Sequence, residues 1–196
     1  RDRSVSRGLG DVYKRQSSGC AGNIYFIDLD KLVDEGLLEK EEILGYNWGT
    51  DESEIDYAAL HQNRCRILQK AFERFDTNAQ EFQDFVKKQS EWLEQYALFM
   101  TLKADNLYKN WSEWPSEYRN PQTVALEKYQ KKNYNTITFW KFCQYKFFEQ
   151  WEDLKNYANS KGIYIIGDAS FYVGYDSVDV WACLLYTSDA ADELDG

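Results

Sequence analysis

A long amphipathic segment that ends in a glycine and an apolar run constrains the fold of this chain more than any other feature. Between residues 136 and 159 large apolar side chains recur near the helical period, which predicts a long, partly buried helix. Gly162 then stands where a C-terminal cap is expected. The continuous apolar run at residues 163–166 is typical of a strand buried on both faces. Helix, cap and strand together predict half of a βαβ unit, and hence an α/β fold.

Weaker patterns precede this segment. Residues 24–29 form a short apolar run with alternating character, which is compatible with a strand. Residues 45–56 are rich in Gly, Asn, Asp, Thr and Ser and predict a surface loop, and Pro115 interrupts the helical pattern around it. Apolar residues at the helical period predict helices at residues 28–33, 57–75 and 92–100, and a further helix that begins near residue 78.

Composition excludes several classes of function. The net charge of −10 argues against nucleic acid and against anionic membrane surfaces, since both attract Lys and Arg. No run approaches the roughly 18 apolar residues of a membrane-spanning helix, so we expect a cytoplasmic protein with reduced, scattered cysteines. The single His61 rules out a multi-histidine metal centre, and the sequence predicts neither a metal site nor a cofactor site.

Both ends of the chain resemble translated sequencing adapters. Residues 6–16 and 183–193 correspond to two transposase adapter strings read in frame. We therefore expect residues 1–16 and 183–196 to lie outside any fold. The gene-derived part is then expected at residues 17–182, cut at both ends by fragmentation of the gene.

Two carboxylates are the first candidates for a functional site. Asp168 and Asp176 flank the loop that follows the predicted strand, where either could bind a sugar hydroxyl or a cation, or act as an acid or base. The structural alternative is that Asp168 caps a turn and Asp176 caps a short helix.

Two tryptophans and a cysteine complete the candidates. Trp111 and Trp114 either stack on sugar rings or anchor a loop on the core, and the sequence does not decide between these interpretations. Cys143 lies on the apolar stripe of the long helix without a histidine near it in sequence. We interpret it as a packing residue, because a nucleophilic thiol needs a base or a positive field.

Four colinear motifs resemble the 4-alpha-glucanotransferases, also called amylomaltases or disproportionating enzymes. They are AGNIYFIDL at residues 21–29, YALFM at 96–100 with WSEWP at 111–115, FCQYKFFEQW at 142–151, and GIYIIGD at 162–168 with YVGYDSVDVW at 172–181. Their order and spacing cover essentially all of residues 17–182. The resemblance implies a fragment of a (β/α)₈ barrel with helical insertions, truncated after about the third strand.

The resemblance also implies an activity. The family transfers a segment of an α-1,4-glucan to the 4-hydroxyl of an acceptor sugar with retention of configuration, which uses two carboxyl groups and a covalent glycosyl-enzyme. It implies that the catalytic carboxylates lie beyond residue 182, so no catalytic residue is predicted here and the fragment is expected to be inactive alone. Asp176, and with it Asp168, is implied to contact the bound glucan.

A second interpretation comes from another class of protein. The 7 Trp and 15 Tyr residues also suit a non-catalytic helical module that binds a glucan or a protein partner. Such a module would melt cooperatively as residues 17–182 alone. A truncated enzyme would instead expose apolar surface and an open sheet edge.

Overall fold

The computed structural model describes residues 17–49, 56–120, 123–166 and 173–182, and within these ranges the chain is helical. The helices are α1 (Leu29–Asp34), α2 (Lys40–Leu44), α3 (Tyr57–Arg74), α4 (Gln80–Lys88), α5 (Ser90–Asp105), α6 (Ser116–Arg119), α7 (Val124–Lys132) and α8 (Tyr134–Ser160). Two single 3-10 turns lie at Ile24–Phe26 and Trp111–Glu113, and residues 178–182 are also helical.

The predicted long helix is confirmed, and so are the predicted helices that correspond to α1, α3, α4 and α5. The short helices α2, α6 and α7 were not predicted. The predicted loop at residues 45–56 is described only at residues 45–49 and 56, none of which is helical.

The α/β prediction, a (β/α)₈ barrel fragment truncated after about the third strand, is wrong for the part of the chain that the structure describes, which contains no strand. Residues 163–166 are all exposed, with fractions from 44% to 94%. A strand is stabilised by hydrogen bonds to a neighbouring strand, and no such neighbour exists among the described residues. An apolar run alone therefore does not make a sheet.

Gly162 ends α8 as the sequence predicted. Its φ of +75° lies in the left-handed region that a glycine adopts without a Cβ penalty. The N–H of Ile163 donates to the carbonyl of Ala158 at 3.0 Å, and the N–H of Gly162 donates to that of Asn159 at 2.9 Å. These bonds form a C-terminal cap of the Schellman type, which directs the chain out of the helix.

The chain divides into two compact units. The first holds residues 17–21, 89–120, 123–140, 166 and 173–182 of the described ranges, and the second holds residues 22–49, 56–88 and 141–165. The helix α8 contributes its first seven residues to the first unit and the remainder to the second.

Three aromatic rings form the core of the first unit. Phe99 lies 5.2 Å from Trp114 and 5.6 Å from Trp181 between ring centroids, and the two tryptophans are 6.1 Å apart. All three side chains are fully buried. The indole N–H of Trp181 donates to the carbonyl of Tyr118 at 3.0 Å, so its one polar atom is paired inside the core. The cluster ties residues 178–182 to α5.

The second unit is built around the rings of α3, α4 and α8. Phe75, just after α3, contacts Phe142 at 4.8 Å and Phe82 at 5.3 Å between centroids. Cys143 is fully buried in the same stretch of α8, which supports its interpretation as a packing residue.

Residues 22–28 run along α8 and are held by two glutamines. The side-chain amide of Gln144 accepts from the N–H of Gly22 at 2.8 Å and donates to its carbonyl at 3.0 Å. Gln150 does the same with Asp28, at 2.7 and 3.1 Å. These hydrogen bonds pair backbone groups that a neighbouring strand would pair in a sheet. Asn23 caps the 3-10 turn that begins at the next residue. The strand with which residues 24–29 were compatible in sequence is not formed, since a 3-10 turn occupies Ile24–Phe26 and α1 begins at Leu29.

An ion pair in the second unit gives a prediction about pH. The carboxylate of Glu42 on α2 accepts from both Nη atoms of Arg74 at 2.6 and 3.0 Å, which lowers its pKa from 4.5 to about 2. A carboxyl group whose pKa is depressed in the folded state stabilises that state above its unfolded pKa. The contribution is lost as the pH falls from about 4.5 through about 2.

We therefore expect the melting temperature of the chain to fall over this range of pH, and Glu42→Gln to flatten the fall. Arg74→Met removes the partner and should flatten the same range. Thermal melts followed by circular dichroism at a series of pH values measure both. Unchanged pH profiles in the two variants would show that the pair contributes nothing.

Candidate functional site

The structure places Asp176 in a polar cluster of the first unit. Its carboxylate forms an ion pair with the ammonium group of Lys103 on α5. The backbone N–H of Trp111 donates to its other oxygen at 3.2 Å. The Asp176 side chain nevertheless stays 32% exposed. The carboxylate is thus held from the protein side and open on the solvent side.

Lys103 is the cation of this cluster, and its side chain is only 8% exposed. Besides Asp176, its ammonium group donates to the carbonyl of Lys109 at 3.2 Å and lies 5.7 Å from the ring of Phe99. This lysine was not among the candidate residues predicted from the sequence. Its position gave a signal, because it lies seven residues after Tyr96 and four after Phe99, on the same buried stripe of the helix.

An aromatic pair lies beside the carboxylate. The ring centroids of Trp111 and Tyr175 are 5.1 Å apart, and the indole N–H of Trp111 donates to the carbonyl of Tyr175 at 2.7 Å. Trp111 is buried, whereas Tyr175 is 60% exposed. Tyr175 therefore presents an aromatic surface next to an acceptor group.

Burial distinguishes the two interpretations of Trp111 and Trp114, which were sugar stacking and loop anchoring. Both side chains are buried, and the indole N–H of Trp114 donates to the carbonyl of Lys109 at 3.2 Å. Buried indoles with internal partners anchor the loop on the core and have little face left for a sugar ring. The loop-anchor interpretation fits both residues.

The cap of residues 178–182 is a different residue from the one considered in the sequence. The hydroxyl oxygen of Ser177 accepts from the N–H of Val180 at 3.3 Å, and the N–H of Trp181 donates to the Ser177 carbonyl at 3.0 Å. Asp176 makes no cap of this turn, because its carboxylate is engaged by Lys103 and Trp111. Asp168 lies outside the described residues, so its predicted role stays a prediction.

Other chemistry finds little support in the described ranges. They hold no group of three or more His, Cys, Asp or Glu side chains placed to bind a metal ion. Burial raises the pKa of the Cys143 thiol well above its ordinary value, which disfavours the reactive thiolate. Among the described helices, none combines the length and the apolar composition of a membrane-spanning segment. The Asp176 cluster is therefore the candidate site, and its chemistry is that of a hydrogen-bonding carboxylate beside an exposed aromatic ring.

Comparison with known proteins finds the same family that the four sequence motifs resemble. The family model described as 4-alpha-glucanotransferase, glycoside hydrolase family 77, matches residues 13–190. The 4-alpha-glucanotransferase of Clostridium butyricum is 38% identical over 174 residues, which cover 88% of this chain and 36% of that protein. The 4-alpha-glucanotransferase of Streptococcus pneumoniae serotype 4 is 41% identical over 178 residues, covering 88% and 35%.

A solved structure is similar as well. The amylomaltase from Streptococcus agalactiae in complex with acarbose superposes with a TM-score of 0.81 at 35% identity, covering 88% of this chain and 35% of that one. The chain thus spans about a third of the length of these relatives. The family model matches most of the chain, and the two relatives are 38% and 41% identical to it, which is sufficient to assign the family. The chain belongs to the 4-alpha-glucanotransferase family, glycoside hydrolase family 77.

Proposed function

We propose that the protein of which this chain is a part is a 4-alpha-glucanotransferase. It moves a segment of an α-1,4-glucan to the 4-hydroxyl of glucose or of another glucan, with retention through a covalent glycosyl-enzyme. The observation that carries this proposal is the identity of 38–41% to two named 4-alpha-glucanotransferases across 88% of the chain. We also place the protein in the cytoplasm, which fits its free cysteines.

The chain alone is proposed to be inactive. Retention uses two carboxyl groups about 5 Å apart, and we place both beyond residue 182. In the described part of the candidate site, Asp176 faces an ammonium group and not a second carboxyl group. The role left to this chain is to bind the sugar.

The proposed sugar contact is Asp176, with Asp168 as a second one outside the described residues. Each oxygen of the Asp176 carboxylate accepts one bond from the protein, and each has a second lone pair for a sugar hydroxyl. The exposed ring of Tyr175 supplies an apolar face for the sugar ring. The similarity to an amylomaltase that binds acarbose supports a glucan-type ligand.

We expect Asp176→Asn to weaken binding of maltoheptaose by about tenfold, which corresponds to one lost charge-assisted hydrogen bond. Isothermal titration calorimetry on the 196-residue chain measures this, well below the melting temperature of each variant. Asp179→Asn is the matched control, because its carboxylate lies on the same segment and accepts from the N–H of Gly19 at 2.7 Å. Equal affinities in wild type and Asp176→Asn would remove Asp176 from the site.

Activity is tested separately by incubating maltotriose with the purified chain and with the full-length protein. The full-length protein should produce glucose and longer glucans, and the chain should produce neither. Disproportionation by the chain alone would overturn its proposed inactivity. A full-length protein that leaves maltotriose unchanged would overturn the glucanotransferase proposal.

A further inference from the structure

Lys103 is a buried charge for which the proposed function gives no role. Its side chain is 8% exposed, on the face of α5 that also carries the buried Phe99. Burying an ammonium group is unfavourable unless it is paired and hydrogen-bonded. A residue such as methionine would fill the same space without that cost. The cation therefore has a use that packing does not explain.

The bonds of Lys103 lead to two different elements of the site. Its ammonium group reaches the carboxylate of Asp176 on one side and the carbonyl of Lys109 on the other, at 3.2 Å for the latter. Its backbone carbonyl accepts from the N–H of Tyr108 at 2.7 Å. One residue thus fixes both the sugar-facing carboxylate and the turn that follows α5.

That turn is strained. Leu107 and Tyr108 have φ values of +56° and +58°, in the left-handed region that residues with a Cβ rarely adopt. Such conformations persist where surrounding contacts over-determine them, and they cluster at binding sites. Leu107 is largely exposed and Tyr108 partly so. The turn therefore presents two large side chains to solvent and is held by Lys103.

We propose that Lys103 is a positioning residue of the glucan site. Its ammonium group holds the Asp176 carboxylate against the carbonyl of Lys109, which directly follows the Leu107–Tyr108 turn, and glucan affinity depends on the resulting position of that carboxylate. Lys103 itself is too buried to contact the sugar. The inference rests on the proposed role of Asp176 and adds the residue through which that role is maintained.

The test uses four variants of the 196-residue chain with maltoheptaose as the probe. Lys103→Met removes the charge and keeps the apolar stem, Lys103→Arg keeps the charge, and Asp176→Asn removes the carboxylate. The fourth variant combines Lys103→Met with Asp176→Asn. Affinity is measured by calorimetry, and the melting temperature of each variant is measured separately.

We expect Lys103→Met to weaken binding by about tenfold, a loss equal to that of Asp176→Asn. Lys103→Arg should bind maltoheptaose within about threefold of the wild-type affinity, since it keeps the charge-assisted bond to Asp176. The double variant should bind no more weakly than Asp176→Asn alone, because the lysine acts through the carboxylate. The backbone amide signal of Trp111 in a ¹H–¹⁵N spectrum should shift in Lys103→Met, because its acceptor has moved.

Three results would overturn the inference. A purely structural lysine would lower the melting temperature of Lys103→Met and leave the affinity unchanged. Additive losses in the double variant would show that Lys103 acts elsewhere. If Lys103→Met does not fold, Lys103→Gln is used in its place and is also expected to bind maltoheptaose about tenfold more weakly. The third result that overturns the inference is wild-type affinity in Lys103→Gln. By contrast, a wild-type chain that binds no maltoheptaose overturns the glucan site itself.

Discussion

Trp181→Ala is expected to lower the free energy of unfolding of the chain by about 3–5 kcal/mol, the range for removing a buried tryptophan. Trp181 is fully buried, contacts both Phe99 and Trp114, and pairs its indole N–H with the carbonyl of Tyr118. The substitution leaves a cavity and an unpaired carbonyl. Residues 178–182 would lose the ring contact of Trp181 with Phe99 on α5.

Urea denaturation followed by circular dichroism measures this loss. Trp181→Phe is an informative second variant, because it keeps a ring in the core while it removes the donor to Tyr118 and part of the buried ring. Its loss should be smaller, about 1–2 kcal/mol. Tyr134→Ala is the control, since Tyr134 is an aromatic residue of the same unit with an exposed side chain. A Trp181→Ala variant as stable as Tyr134→Ala would contradict the packing described for this core.

Gly22→Ala is expected to destabilise the second unit by about 3 kcal/mol, the upper part of the range for overpacking. A Cβ at this position would lie 1.9 Å from Cδ1 and 2.4 Å from Cγ of Phe147. The ring cannot move aside by rotating its far end alone, because the clash includes Cγ. Either Phe147 leaves its place or Gly22 loses the two bonds to Gln144.

Gly45→Ala is the matched control for this substitution. Gly45 has a φ of −69°, and a Cβ there would meet its nearest atom, the carbonyl oxygen of Glu41, at 3.4 Å. We expect a change within about 0.5 kcal/mol, as for most surface substitutions. Urea denaturation compares the two variants under the same conditions. Equal stabilities of Gly22→Ala and Gly45→Ala would mean that residues 22–28 do not lie against α8 as described.

Local patterns predicted the helices well, and non-local partners account for the errors. The period of α8 and the cap at Gly162 depend on neighbours in sequence, and both are confirmed. The strand at residues 163–166 depends on a partner strand, which no periodicity can supply. The short helix α2 has only five residues and was missed, because its Glu42 pairs with the distant Arg74 and not with a neighbour in sequence.

The candidate site divides in the same way. Asp176 was singled out by its position after the predicted strand, the resemblance then implied a glucan contact, and the structure shows what surrounds it. Lys103 was missed because lysine is normally exposed, although its place on the stripe of α5 marked it. The pairing of Lys103 with Asp176 joins residues 73 positions apart, and no motif in one sequence predicts such a pair.

The two glutamines on α8 also fix a length. Gln144 and Gln150 are six residues apart, and so are Gly22 and Asp28, which they hold. Six residues advance about 9 Å along a helix, and about 20 Å in an extended chain. The 3-10 turn at Ile24–Phe26 therefore shortens the segment, so that the distance from Gly22 to Asp28 matches the distance between the two glutamines along α8. An insertion or deletion of one residue between Gly22 and Asp28 would release one of these two residues from its glutamine, so the number of residues in the segment is constrained as well as the glycine at position 22.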